Sequence, residues 1–173
     1  YMGIKLCWGD SNYEVVPFDE IIPRILDGTY KSGLIIHEGQ LTYAEHDLDV
    51  LVDLGIWWNE KTGGLPMPLG GNVVRRDLGR EMMEDITMYT KMSIEHSISN
   101  PDEALEFAKK WGRGIDDATN REFVTMYVND RTIDYKKEGR DSIRQFLKEG
   151  QRIGLIDSNF DVDGLKFIGS PEE

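Results

Sequence analysis

From Asp77 onward, apolar residues recur at helical spacing with few interruptions. Met82, Ile86, Tyr89 and Met92 fall every three or four residues and form one face of an amphipathic helix. Asn100-Pro101-Asp102-Glu103 is a restart signal, with Asn as N-cap, Pro at the first helical position and acids in the first turn. Ala104, Phe107, Ala108 and Trp111 supply the next stripe. A third helix is expected from Asp117 through Val128, and a fourth from Asp141 through Ile153. The tail from Phe160 to Ile168 reads as loop or short strand. Each apolar face must bury against something, and this half carries little sheet of its own to receive it.

The earlier half has a different grain. The first residues, to Trp8, read as a helix end, and Gly9-Asp10-Ser11-Asn12 as a turn. Tyr13-Glu14-Val15-Val16 reads as a short strand closed by Pro17, and Asp19 to Leu26 as a helix with Pro23 near its first turn. Gly33-Leu34-Ile35-Ile36-His37 is an apolar run too short for a helix and is expected as a buried parallel strand. A helical turn from Leu41 to Glu45 follows, then a strand over residues 50–55 and a brief helix from Ile56 to Lys61. Gly70-Gly71 breaks the chain, and Asn72 to Arg75 is expected as a strand leaving the region. The expectation is therefore α/β, with residues 1–72 as an α/β lobe and 73–173 as a mostly helical segment of a second, incomplete lobe.

Of the 173 residues, 39% are hydrophobic and 30% charged, the balance of a globular chain. A net charge of −12 disfavours a nucleic-acid partner. The densest basic pairs, Arg75-Arg76 and Lys136-Lys137, each have an acid close behind. No apolar run approaches the roughly 20 residues that span a bilayer, and the first residues carry no secretory pattern, so no membrane partner is expected. The single cysteine, Cys7, excludes an intrachain disulfide, and a cytoplasmic location is the default expectation.

The stretch from Gly33 to Tyr43 holds the most chemistry. It sets His37 at the C-terminal end of an expected parallel strand, where ligands gather in open α/β sheets. Imidazole suits proton transfer near neutrality, so His37 is either a base or a hydrogen-bonded structural histidine. Glu38, Gln40, Thr42 and Tyr43 place polar groups on the same loop, as ligand contacts or as caps of a turn. His46 reads as a solvated residue, and His96 as a favourable partner of a helix C-terminus. No metal set emerges: His37 and His46 are not one helical turn apart, and no second cysteine joins them. Neither a phosphate-binding glycine loop nor a hydrolase nucleophile elbow is present.

Several ordered motifs resemble one family. Pro17-Phe18-Asp19-Glu20-Ile21, Gly33-Leu34-Ile35-Ile36-His37-Glu38 and Leu41-Thr42-Tyr43 are followed by Asp53-Leu54-Gly55 with Trp57-Trp58. Leu65-Pro66, Pro68-Leu69-Gly70-Gly71-Asn72 and Arg75-Arg76-Asp77-Leu78-Gly79 complete the series. In order and spacing these are similar to 1,4-dihydroxy-6-naphthoate synthases of the futalosine route to menaquinone. The related chorismate dehydratases usually show an Asp-containing motif where this chain has Ile-His-Glu.

The resemblance implies a periplasmic-binding-protein-like type II fold whose N-terminal part this chain lacks. It implies a lyase that cleaves cyclic dehypoxanthine futalosine without cofactor. His37 then stands at the catalytic base, with Glu38, Gln40, Thr42 and Asn72 as substrate-binding residues. Two other readings stay open. One is a substrate-binding protein that holds a small organic anion without turnover. The other is a non-catalytic fragment that forms homo-oligomers through exposed helical faces.

Overall fold

A computed structural model describes residues 1–37, 39–109 and 116–169. Nine α-helices are described: α1 (Met2–Trp8), α2 (Ile21–Leu26), α3 (Gly39–Thr42), α4 (Leu54–Thr62), α5 (Arg80–Ser99), α6 (Pro101–Ala108), α7 (Asp117–Tyr127), α8 (Asp130–Ile133) and α9 (Lys136–Arg152). Single 3₁₀ turns lie at Phe18–Glu20, Tyr43–His46 and Arg76–Leu78.

No strand occurs among the described residues, which overturns the expected α/β, periplasmic-binding-protein-like architecture. Runs 13–16, 33–37, 50–53 and 72–75 are irregular segments instead. Composition makes a segment fit for a strand, but a strand exists only when a neighbour completes its hydrogen-bond ladder. No such ladder joins the described residues, and Val15 (85% exposed) and Val73 (96% exposed) point into solvent. At residues 50–55 a local competitor also wins. Asp53 leaves the extended state as an N-cap, its carboxylate accepting from the amides of Gly55 (2.7 Å) and Ile56 (3.0 Å), so Leu54 and Gly55 become the first turn of α4.

The later helices follow their apolar spacing, with α5 as the 20-residue element. Pro101 opens α6 as expected, and Asn100 serves both helices. It holds the expected N-cap position of α6, its carbonyl accepting the Ala104 amide at 3.1 Å, but its side-chain amide donates to the His96 carbonyl at 2.9 Å and closes α5 instead of capping α6. Trp111 lies outside the described residues.

The core forms where the ends of the described chain meet. Helix α1 packs on α4 and on α9. Trp58 of α4 is fully buried, with Phe146 of α9 edge-on at 5.2 Å. Gly3 and Gly150 are buried where these helices cross. A β-carbon on Gly150 would stand 2.5 Å from Met2 Sδ and 2.7 Å from Ile156 Cγ1, so any larger residue there would force both side chains to shift. Cys7 is half-buried on α1, and burial pushes its thiol above the usual range. Helix α5, by contrast, packs on α6 and α8 yet buries no residue completely, and Met82, Tyr89 and Met92 stay about half exposed.

Candidate active site

The segment carrying His37 rests on α2. Gly33 lies so close to Ile21 that a β-carbon there would overlap the isoleucine methyl. Ile22 is buried beneath Gly39. Phe18, in the turn ahead of α2, sets its ring 5.3 Å from the His37 ring at a tilt of 36°. Phe18 thus meets the imidazole, while Ile21 and Ile22 of α2 support the backbone on either side of it.

His37 itself sits in a bend just before α3 and is half-buried, with Nε2 shielded from solvent. Two local hydrogen bonds fix it. The Gly39 amide donates to His37 Nδ1 at 3.0 Å, and the Gln40 amide donates to the His37 carbonyl at 2.9 Å. An imidazole that accepts at Nδ1 holds its lone pair there, so the neutral ring carries its proton on Nε2. Gly39 is matched to this arrangement: a β-carbon would approach His37 Cε1 to 2.6 Å and Ile22 Cδ1 to 2.9 Å.

Gln40 reaches beyond the loop. Its side-chain amide donates to the Tyr127 hydroxyl at 2.7 Å, across 87 residues of sequence. Thr42 ends α3 half-buried, and Tyr43 opens the 3₁₀ turn beside it. Asn72 is exposed in the irregular segment after α4. Glu38 lies outside the described residues. The structure thus joins His37 and Gln40 through the backbone, places Thr42 on the same short helix, and sets Asn72 in a separate exposed segment. His46 is exposed, and His96 lies 3.7 Å from Glu103 at the end of α5.

Sequence reading missed Tyr127 as part of this neighbourhood. It falls within the helix expected from Asp117 through Val128, and no local signal ties it to Gln40. Two contacts set its place. Phe123 packs on it at 4.8 Å, and its backbone carbonyl accepts the Thr132 hydroxyl at 2.8 Å. Thr132 in turn accepts the Asn129 amide, at 3.1 Å, in the capping box that opens α8.

No group of three or more metal-ligating side chains assembles among the described residues. No described helix is long and apolar enough to cross a membrane. One residue of each basic pair flagged in the sequence meets an acid: Arg75 donates to Asp77, and Lys137 meets Asp141 at 2.5 Å. Among the described residues, a shallow, open concavity is lined by Ala118, Arg121, Glu122, Thr125 and Met126 on α7. It does not contain His37.

Comparison with known proteins places these residues in context. Residues 4–152 match the family described as menaquinone biosynthesis. A protein of Thermus thermophilus named 1,4-dihydroxy-6-naphtoate synthase is 35% identical over 140 residues, covering 81% of this chain and 51% of its own. A protein of the same name from Streptomyces coelicolor is 33% identical over 148 residues, covering 86% of this chain and 52% of its own. The crystal structure of an Archaeoglobus fulgidus protein superposes with a TM-score of 0.84 at 40% identity, over 90% of this chain and 58% of that one. The chain spans about half the length of the curated relatives it matches. A match over residues 4–152, joined to that identity, makes this chain a member of the menaquinone biosynthesis family.

Proposed function

We propose that this chain carries the catalytic base of a 1,4-dihydroxy-6-naphthoate synthase. In this reading the reaction is a lyase-type cleavage of cyclic dehypoxanthine futalosine, and the base is His37. The imidazole accepts the substrate proton whose removal leaves the electron pair that expels the departing fragment. Glu38, Gln40, Thr42 and Asn72 are the substrate-binding residues of the proposal, and the enzyme works in the cytoplasm.

The observation that carries the reading is the setting of His37: a half-buried imidazole, oriented by the Gly39 amide and packed against Phe18. That setting also states a requirement. The lone pair at Nδ1 faces the Gly39 amide, so the ring must give up that bond before Nδ1 can take a proton from substrate. Breaking one such bond costs about 1 kcal/mol, small beside a catalytic barrier.

The same bond favours the second reading, a protein that binds a small organic anion without turnover. One assay separates the two. Cyclic dehypoxanthine futalosine is supplied, naphthoate is followed by chromatography with mass detection, and binding is followed by calorimetry. The enzyme reading expects product from the parent protein and a loss of at least about 100-fold in rate with His37→Ala. Unchanged turnover in that variant removes His37 from the role of base. Binding without any product selects the second reading.

A further inference from the structure

We propose that Tyr127 is a positioning residue for the His37 loop, acting through Gln40. The inference rests on the reading of His37 as the base and adds a part to that site that lies far away in sequence. The hydroxyl of Tyr127 accepts the Gln40 side-chain amide at 2.7 Å. Gln40 in turn donates its backbone amide to the His37 carbonyl at 2.9 Å, one residue beyond the glycine whose amide holds Nδ1 at 3.0 Å. Tyr127, Gln40 and His37 therefore form one hydrogen-bonded line from the end of α7 to the His37 backbone carbonyl, and the neighbouring Gly39 amide holds the ring itself.

The far end of that line is anchored. Tyr127 is the last residue of α7, where a helix normally frays. Here the turn is fastened: the Thr132 hydroxyl donates to the Tyr127 carbonyl, and the Asn129 side chain donates to the Met126 carbonyl at 3.2 Å. The Phe123 ring packs against the phenol at 4.8 Å. The near end has less support of its own. Helix α3 is only four residues long, below the length at which an isolated helix holds itself together. An external tie therefore matters more for α3 than for any long helix of this chain.

This geometry also redefines Gln40. As a substrate contact it would present its amide to ligand, but in the described state that amide is engaged by Tyr127. Gln40 thus acts on the site by holding the loop.

The test uses the full chain and two readouts. Amide hydrogen exchange, followed by nuclear magnetic resonance, needs no turnover. Tyr127→Phe keeps the ring and its packing on Phe123 and deletes only the acceptor oxygen. The expected result is about tenfold faster exchange at Gly39 and Gln40, with unchanged exchange through α9, since one hydrogen bond sets protection of roughly that size. Unchanged exchange at Gly39 and Gln40 overturns the proposal, and so does faster exchange throughout the molecule, which would mark a merely structural role.

In the turnover assay, Tyr127→Phe is expected to lower kcat about tenfold with little change in KM, and Gln40→Leu to add little more in the Tyr127→Phe background. Gln40→Glu is expected to restore most of the loss of Gln40→Leu, because the phenol can donate to a carboxylate. Additive losses, or a failed rescue, overturn the link. Full activity in Tyr127→Phe beside an inactive His37→Ala rejects this inference alone, whereas an active His37→Ala rejects the reading of the base.

Discussion

The indole Nε1 of Trp58 donates to the Ser142 hydroxyl at 2.8 Å, with both residues fully buried. The same hydroxyl donates onward to the Pro66 carbonyl at 2.5 Å, so one serine joins α4, α9 and the loop after α4. Its removal strands the buried indole N–H and the part-buried Pro66 carbonyl. Ser142→Ala is expected to cost about 2–4 kcal/mol, because an unmet buried donor or acceptor carries its full desolvation penalty. Trp58→Phe deletes the donor and leaves the serine still bonded to Pro66, and is expected to cost less than Ser142→Ala despite removing more atoms. Urea denaturation of the two variants measures the order, and the reverse order would refute this account.

Gly39 is expected to be intolerant of any side chain. Gly39→Ala places a β-carbon against His37 and Ile22, and relief requires the imidazole to shift. A cost of about 1–3 kcal/mol is expected from overpacking. The His37 ring resonances should move as well. Unaltered ring shifts in a folded Gly39→Ala variant would show that the glycine does not set the imidazole position.

The N-cap of α4 offers an exposed, separable test. Asp53→Ala is expected to cost about 1 kcal/mol, and Asp53→Asn much less, since the amide oxygen still caps. Thermal unfolding of the pair decides this. Equal losses would mean that the charge of Asp53, rather than its capping oxygen, supports the helix.

Stability should also respond to acid through Glu149. Burial alone would raise its carboxyl, but the Arg152 hydrogen bond at 3.0 Å and the Lys61 charge at 3.4 Å outweigh it and hold the group below its ordinary 4.5. A carboxylate depressed on folding contributes stability that is fully present above its unfolded value. That contribution is lost as pH falls through the folded value. Glu149→Gln should therefore melt lower than the parent near neutrality, by about 0.2–1 kcal/mol for so exposed a pair. The gap should close below pH 4.5, and a gap that persists in acid would exclude the ionic account.

What sequence could foretell here follows from the range of each interaction. Helices α5 to α7 and α9 were legible because their apolar spacing and punctuation are local. Strand-like runs such as Gly33–His37 misled, since a strand is defined by its neighbour and no local pattern shows whether one is present. Asn100 was legible as the N-cap position of α6, but not the turn of its side chain back onto α5, because it stands between two helices and is able to serve either. At the site, His37 and Gln40 could be singled out from a motif and its loop. Tyr127 could not, because its tie to Gln40 spans 87 residues. Ser142 did leave a trace: with Phe146 and Gly150 it repeats every four residues on α9, and a hydroxyl within such a face implies a buried partner.

The ties Gln40–Tyr127 and Trp58–Ser142 close loops across 87 and 84 residues, and these loops interleave rather than nest. A single cut at the exposed Gly63-Gly64 turn falls inside both. The two pieces would share the Trp58 pocket, the Gln40 link and the crossing of α1 with α9, so neither could leave without breaking all three. The molecule is stitched like a lock seam: severing the thread at one point does not part the cloth.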